Sequence, residues 1–243
     1  MCTLSIIKSN NQILITMNRD ERIHLKEKPP QIFQQKEVQI ITPIDEKSSG
    51  SWIGVNQSGI AACLLNRYET YSSNKQSRGE IIFKFLAFKN LEEISNFLQN
   101  EFKAEIYNPF ILVLIKNSKI IRIDFDGSQT QIKNITLSDY FFVSSSSLKW
   151  YEVLAFRRQL FDKWQKNPTF KENIPTFHLP ILGEDEQWTP FVKREKVHSK
   201  NICQIAFNKE QIQFTYYPFK QINQNDFSNC APRTLKLKFP INH

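Results

Sequence analysis

The sequence predicts an α+β fold in which antiparallel sheets are covered by a few helices. Short strands joined by hairpin turns dominate, helical segments are few, and the strands outnumber what one twisted sheet usually holds. Two sheets are therefore expected within a single domain spanning residues 1–243. Hydrophobic residues make up 40% of the chain and include 20 phenylalanines, which is enough for a sizeable core.

The predicted strands come mainly in neighbouring pairs separated by turn residues. The first pair, at 3–9 and 12–17, flanks Asn10-Asn11, and asparagine tolerates the positive φ that a two-residue turn needs. The remaining predicted strands cover residues 51–56, 60–65, 110–115, 119–125, 130–136, 140–144, 202–208, 211–217 and 234–239.

Three helices are predicted, at 81–88, 91–102 and 148–164. The spacing of Ser77 and Glu80 is typical of a capping box before the first helix, and Asn90 is placed to cap the second. The polar, proline-containing segment 173–200 is expected to be a surface excursion.

The net charge of +8 is spread along the chain without a run of five or more like charges, so nucleic acid is not an expected partner. No stretch approaches the roughly 18 apolar residues of a membrane-spanning helix, and no secretory signal is visible. A cytoplasmic protein is therefore expected.

The cysteines and histidines are widely separated. Without an export signal the cysteines are expected to be reduced thiols, and the histidines lack zinc-ligand spacing. Neither a metal nor a cofactor is predicted. The residues concerned are Cys2, Cys63, Cys203, Cys230, His24, His178, His198 and His243.

The first hairpin brings candidate catalytic residues to one strand end. If Asn10-Asn11 forms a two-residue turn, Ser9 faces Gln12 and Cys2 faces Arg19. The thiol would then lie beside Asn18-Arg19-Asp20-Glu21, where Arg19 would lower the thiol pKa by favouring the thiolate. Asp20 could hold an ammonium group or orient the arginine.

Removal of Met1 is expected because the next residue is small, and it would give Cys2 a free α-amine. Such an amine has a pKa of about 7.7–8.0, which suits a general base at neutral pH. Cys2 would then be an N-terminal nucleophile that carries its own base. For Cys2 alone, a buried strand cysteine is the simpler interpretation. Its combination with the polar tetrad favours a functional site over a solvated turn.

A second candidate element is the stretch 50–66, which contains Trp52, Gly54 and Gly59 and ends at Asn66. Asn66 lies where a predicted strand ends, so its amide N–H could point at a developing oxyanion. An ordinary turn-forming role at the strand end is the alternative, and spacing alone favours that alternative.

These motifs resemble those of the NRDE family, also called the transport-and-Golgi-organisation-2 family. The resemblance covers about the first third of the chain. The matching pieces are Met1-Cys2, Asn18-Arg19-Asp20-Glu21, the stretch 50–66 with Trp52, Gly54, Gly59 and Asn66, and Ser77-Arg78-Gly79-Glu80.

The resemblance implies a relation to the choloylglycine-hydrolase and penicillin-acylase branch of N-terminal-nucleophile (Ntn) hydrolases. That relation implies a four-layer αββα sandwich of two antiparallel sheets. It also implies that Cys2 attacks an amide carbonyl with the support of Arg19 and Asp20, and that Asn66 helps to form the oxyanion hole. Asn18, Glu21 and Trp52 would be supporting residues.

Two departures from that pattern keep two functions open. The related hydrolases use another asparagine where this chain has Ser144-Ser145-Ser146-Ser147, and a late arginine near Lys200, which is not equivalent to arginine at a bidentate site. The first function is an Ntn-type cysteine hydrolase acting on a C–N amide bond of a small acylated substrate. The alternative is non-enzymatic trafficking or binding of a hydrophobic ligand, haem or lipid, which the resemblance links to secretory and Golgi organisation in eukaryotic members.

Overall fold

The structure is a computed structural model that describes residues 2–9, 12–208, 210–221, 227–229 and 231–239. In chain order its strands are β1 (Cys2–Lys8), β2 (Ile13–Arg22), β3 (Glu27–Gln35), β4 (Val38–Asp45), β5 (Ile53–Asn56), β6 (Ile60–Asn66), β7 (Phe110–Lys116), β8 (Lys119–Phe125), β9 (Thr130–Thr136), β10 (Tyr140–Ser145), β11 (Phe170–Lys171), β12 (Ile174–Pro175), β13 (Val197–Phe207), β14 (Gln211–Gln221), β15 (Phe227–Asn229) and β16 (Arg233–Lys238). The helices are α1 (Glu80–Leu86), α2 (Leu91–Asn100) and α3 (Trp150–Trp164).

Within the described residues the strands form two large antiparallel sheets, as the sequence predicts. The first sheet has the order β10-β1-β2-β13-β14-β15, with β16 also paired to β14. The second has the order β3-β4-β5-β6-β7-β8-β9. Apolar side chains from both sheets form one shared core between them, so the sheets pack face to face as a sandwich.

The first hairpin has the predicted register. Cys2 pairs with Arg19 across β1 and β2, and Thr3 pairs with Asn18. On its other side β1 pairs with β10, where Cys2 faces Ser145. The turn at Asn10-Asn11 lies outside the described residues. The start of β1 therefore lies between the ends of β2 and β10.

The helices cover the sheet faces that point away from the shared core. Side chains of α1 and α2 pack with the alternate residues of β6, β7 and β8. On the other sheet, Phe161 and Trp164 of α3 pack with Phe142 of β10. Successive side chains of a strand point to opposite faces of its sheet and so belong to two different apolar clusters.

The helix caps agree with the sequence prediction at only one of two sites. Asn90 Oδ1 accepts a hydrogen bond from the Glu93 N–H at 2.9 Å and caps α2 as predicted. The capping box at Ser77 is wrong, because α1 begins after Gly79 and has no side-chain cap. The Ser77 hydroxyl instead accepts from the Gly79 N–H at 3.3 Å.

Strands β3 and β4 were not predicted from the sequence. Proline cannot donate to a strand ladder, and β3 contains Pro29-Pro30, which argues against a strand. The structure accommodates both prolines because β3 is the edge strand of its sheet and its register shifts between Lys28 and Gln31. An edge position leaves one side of the backbone free of ladder bonds.

The segment 173–200 is packed more deeply than a surface excursion would be. Ile174, Phe177, His178, Phe191 and Val192 are buried, whereas residues 182–183 and 185–187 are exposed. Its last residues belong to β13.

Across the described residues, no helix combines the length and apolar character that a bilayer crossing requires.

Two glycines bring the loop before α1 against the loop before β5. A Cβ atom added at Gly79 would lie 2.8 Å from the Gly50 Cα, and the Ser51 N–H donates to the Gly79 carbonyl at 3.0 Å. The obstructing atoms are backbone and cannot turn away. The two loops can therefore meet only where side chains are absent.

We expect Gly79→Ala to lower the free energy of unfolding by about 1–3 kcal/mol, because the added methyl group forces the two backbones apart. Urea denaturation measures the loss. Ser77→Ala is the matched control, since Ser77 is exposed in the same loop and its removal should change stability by less than about 0.5 kcal/mol. Equal stability of Gly79→Ala and the wild type would contradict the close approach.

Candidate active site

Cys2, Arg19, Asp20 and Asn66 line one cleft with a volume of about 250 Å³. Cys2 begins β1, Arg19 and Asp20 lie near the end of β2, and Asn66 ends β6 of the other sheet. The cleft therefore opens where strand ends of both sheets meet. Its remaining lining is mostly polar: Glu21, Asp45, Ser48, Ser51, Trp52, Leu64, Tyr71, Ser72, Lys75, Gln76, Ser77, Arg78, Gly79 and Asn108.

The backbone of Cys2 is held by two serines of β10. Its N–H donates to Ser145 Oγ at 3.1 Å. Its carbonyl accepts from Ser144 Oγ at 3.3 Å and from Ser145 Oγ at 3.4 Å. The serine run that replaces the expected asparagine thus contacts the main chain of the candidate nucleophile. Sequence reasoning noted the run but gave it no role.

The Cys2 thiol is buried, and burial raises its pKa to about 11. Asp20 raises this pKa further, while the charge of Arg19 lowers it by less than burial raises it. Arg19 thus lowers the pKa of Cys2, as predicted, but the larger effect of burial leaves that pKa above its ordinary value. At neutral pH the thiol is protonated.

Burial also raises the pKa of Cys63 and of Cys203, which lie in strand interiors. Cys230 lies outside the described residues. Among the described thiols, Cys2 is the one that lines the cleft.

The charge of Arg19 is committed to carboxylates of the opposite sheet. Its Nη1 donates to Glu27 Oε2 at 2.7 Å, and its Nη2 donates to Asp45. Glu21 lies 3.7 Å from the same Nη2. The guanidinium also stacks on Trp52, 3.9 Å from the ring centroid. These contacts explain why Arg19 does little to ionise Cys2.

Asp20 is buried beside Cys2 and accepts a hydrogen bond from Ser199 Oγ at 2.6 Å. Burial raises the pKa of Asp20, and the positive charge of Arg157 opposes that rise. Asp20 is therefore a buried acid whose charge is balanced by a cation that the sequence analysis did not select.

Arg157 of α3 is fully buried. Its Nη1 donates to Thr3 Oγ1 at 3.0 Å and to Ser144 Oγ at 2.8 Å, and its Nε donates to the Trp188 carbonyl at 2.7 Å. Burial lowers the pKa of Arg157 to about 10, and Asp20 counteracts this. The arginine thereby joins the serine run to the start of β1.

The buried face of α3 gives the signal that could have found Arg157. Its buried residues are Val153, Arg157, Phe161 and Trp164. Tyr151 of the same helix, by contrast, is 82% exposed. An arginine in the apolar stripe of a helix needs polar partners inside the protein, and that need marks a candidate site.

Lys200 does not take the place of the expected late arginine. Its Nζ donates to the carbonyls of Ile23 at 3.0 Å and Leu25 at 2.7 Å, and it is not among the residues that line the cleft. The next residue, Asn201, donates to Glu27 Oε1 at 2.6 Å. This strand end therefore supports the carboxylate network of Arg19.

Asn18 has a buried structural role beside the cleft. Its Nδ2 donates to the His178 carbonyl at 2.9 Å, and its Oδ1 is paired with His178 Nδ1. His178 Nε2 is 2.6 Å from Ser5 Oγ. Burial lowers the pKa of His178 to about 3, so the ring is neutral at physiological pH. This Ser–His–Asn set lies in the interior and anchors the segment 173–200.

The solved structures that resemble this chain have an Ntn-hydrolase-like fold. Two mutant forms of the conjugated bile acid hydrolase from Clostridium perfringens match with TM-scores of 0.52 and 0.53, at 13% and 12% identity. Each match covers 100% of this chain and 99% of the hydrolase chain. The N-acylethanolamine-hydrolyzing acid amidase ortholog of Caenorhabditis elegans matches at 13% identity, with a TM-score of 0.47, over 84% of this chain and 92% of that one.

A sequence comparison identifies the family. The family model described as Transport and Golgi organisation 2 matches residues 1–217. The chain therefore belongs to the Transport and Golgi organisation 2 family, which confirms the resemblance seen in the sequence. Comparison with curated proteins gives no significant match.

We expect Arg19→Met to lower the free energy of unfolding by about 3–5 kcal/mol, because it leaves Glu27 buried without its cation. The side chains of Arg19 and Glu27 are only 7% and 8% exposed. Adding Glu27→Gln to Arg19→Met should recover part of the loss, which a double-mutant cycle from urea denaturation measures. Strictly additive losses would show that the two residues are not coupled.

We expect His178 to make the folded state sensitive to acid. Its folded pKa of about 3 lies below the ordinary value of 6.5, so protons bind preferentially to the unfolded chain. Stability is present above pH 6.5 and falls as the pH approaches 3. Between pH 7 and pH 5 the loss should be about 2 kcal/mol.

His178→Gln removes this titration and keeps a neutral hydrogen-bonding side chain. Denaturation curves at both pH values should therefore show a smaller pH-dependent loss in the variant than in the wild type. Identical losses would mean that His178 is not the group that senses acid.

Proposed function

We propose that this protein is an Ntn-type cysteine hydrolase that cleaves a C–N amide bond of a small acylated substrate. The observation that carries the proposal is the meeting of Cys2, Asp20 and Asn66 in one cleft, with the Cys2 nitrogen on Ser145 Oγ. In this proposal the chain is one domain, and the helices outside each sheet are the outer layers of an αββα sandwich.

The protonated thiol requires a base, and the proposal assigns that role to the α-amine that Cys2 gains once Met1 is removed. An amine with a pKa of about 7.7–8.0 is partly unprotonated at neutral pH and can accept the thiol proton. In the chain that keeps Met1, this nitrogen is an amide and cannot act as a base.

The reaction then proceeds in two balanced halves. The Cys2 sulfur bonds to the substrate carbonyl carbon while the α-amine takes the thiol proton. The C–N bond breaks as that proton passes to the departing nitrogen, which leaves an amine and a thioester on Cys2. Water adds to the thioester and releases the acid and the free thiol.

Asn66 and Asp20 have separate roles in this mechanism. Among the described residues the Asn66 side-chain amide has no hydrogen-bond partner, so its N–H is available to an oxyanion formed in the cleft. Asp20 is the nearby acid that stabilises the α-ammonium, and Ser199 holds its carboxylate in place. Arg19 acts as a positioning residue through its ion pairs.

A second candidate function, binding of a hydrophobic ligand, is supported by a different part of the molecule. A cavity of about 460 Å³ is lined by Ile174, Leu179, Pro180, Phe191 and Phe219, together with Lys171, Glu172 and Thr176. Its apolar side chains suit a lipid or haem better than the polar Cys2 cleft does. A ligand bound there would not depend on the Cys2 sulfur.

We expect Cys2→Ala to reduce amide hydrolysis by a factor of about 100 or more, because the nucleophile is lost. The assay follows amine release from a panel of N-acyl amides, and intact mass shows whether the active protein starts at Cys2. Cys63→Ala is the control, since Cys63 is buried outside the cleft, and thermal melts confirm folding.

Unchanged hydrolysis in Cys2→Ala, or full activity in protein that retains Met1, would falsify the mechanism. No hydrolysis in either protein, with equal binding of a hydrophobic ligand to both, would favour the second candidate function.

A further inference from the structure

Arg78 lies in the Cys2 cleft as a half-buried cation without an acidic partner. Its Nη1 donates to the Pro109 carbonyl at 2.8 Å and to the Arg67 carbonyl at 3.3 Å. Within the described part of the chain it forms no ion pair, and its Nε and Nη2 make no hydrogen bond. These two nitrogens form one edge of the guanidinium, which is the edge that binds a carboxylate through two parallel hydrogen bonds.

The acids of the cleft are already engaged elsewhere. Glu21 and Asp45 pair with Arg19, and Asp20 accepts from Ser199. Burial lowers the pKa of Arg78, with smaller opposing effects from Tyr68, Tyr71, Glu21 and Cys2. The charge of Arg78 is therefore partly desolvated and is not neutralised by a neighbour. A half-buried guanidinium of this kind is stabilised when an anion binds to it.

The position of Arg78 relative to the proposed oxyanion site is fixed by the backbone. Its guanidinium is bonded to the carbonyl of Arg67, the residue that follows Asn66. Its own backbone is held by the contact between Gly79 and Gly50. Arg78 is therefore anchored at the end of β6, next to the amide that would receive the reacting carbonyl.

We propose that Arg78 is a specificity-determining residue that binds a carboxylate of the substrate. The substrate class is then an N-acylated amino acid or a similar small amide with a carboxylate near the scissile bond. This inference rests on the proposed hydrolase function, but the recognition of an anion beside Cys2 can be tested without turnover. A cleft of about 250 Å³ suits such a small polar molecule.

The first test compares alkylation of Cys2 by iodoacetate and by iodoacetamide. Iodoacetate carries a carboxylate where iodoacetamide carries a neutral amide. Peptide mapping gives the rate at Cys2 for each reagent. We expect the ratio of the iodoacetate rate to the iodoacetamide rate to fall about tenfold in Arg78→Gln, because the charge-assisted hydrogen bonds to the carboxylate are lost. The ratio cancels any change in thiol pKa, which affects both reagents alike.

Lys75→Gln is the matched control. Lys75 lines the same cleft with the same charge, but it is exposed and its Nζ is bonded to the Glu105 carbonyl. Its removal should leave the ratio within about twofold of the wild type, as expected for a solvated charge. Equal falls in both variants would show a general field effect and overturn the assignment to Arg78. An unchanged ratio in well-folded Arg78→Gln would overturn it as well.

The second test measures kcat/KM for hydrolysis of the benzoyl–glycine bond in two substrates. One is N-benzoylglycine, and the other is its neutral primary amide. The wild type should have the higher kcat/KM for the carboxylate substrate. Arg78→Gln should lower kcat/KM for that substrate and leave kcat/KM for the neutral amide unchanged. Hydrolysis without a carboxylate preference would overturn the inference and leave the proposed function standing. An altered alkylation ratio without hydrolysis of any amide would remove the proposed function and support the anion site. Parallel losses on both substrates would indicate a structural role for Arg78.

Discussion

The ion pairs of Arg19 hold the two sheets together at the end where the cleft opens. Arg19 belongs to β2 of the first sheet, whereas Glu27 and Asp45 belong to β3 and β4 of the second. Trp52, which precedes β5, closes the face of the guanidinium. Breaking a buried pair of this kind costs far more than its net contribution to stability, because an uncompensated charge remains inside. The two sheets are therefore held in a fixed relative position at this end. That position determines the shape of the cleft.

This use of Arg19 has an electrostatic consequence for Cys2. A cation shared by three carboxylates adds little net positive charge near a thiol, so burial dominates the thiol pKa. The cleft consequently holds a protonated thiol, which a base would have to activate before it could act as the proposed nucleophile. In the proposed mechanism the nitrogen of Cys2 itself is that base, so the mechanism depends on the removal of Met1.

The sequence predicted those parts of the site that depend on local geometry. A two-residue turn predicted at Asn10-Asn11 implies which residues face each other across the first hairpin, so the pairing of Cys2 with Arg19 followed from counting. The acids that bind Arg19 were missed because they lie on β3 and β4. The prolines of β3 conceal that strand, since only the finished sheet shows that it occupies an edge. Long-range partners of a charge cannot be found by spacing along the chain.

Arg157 illustrates the same limit for the candidate site. Its spacing with Val153 and Phe161 places it on the buried face of α3. The sequence alone does not show which polar groups contact it there. The structure supplies Thr3, Ser144 and the charge of Asp20.

Two serines and Arg157 surround the Cys2 backbone at the place where the sequence lacks the expected asparagine. A side-chain amide offers one acceptor and two donor hydrogens, whereas two hydroxyls and a guanidinium together offer more of each. Ser145 accepts from the Cys2 N–H, both hydroxyls reach its carbonyl, and Arg157 fixes Ser144 from the other side. The serine run and Arg157 therefore give the Cys2 backbone polar support at the place where the expected asparagine is missing. The absence of the expected asparagine therefore does not leave the Cys2 backbone without polar partners.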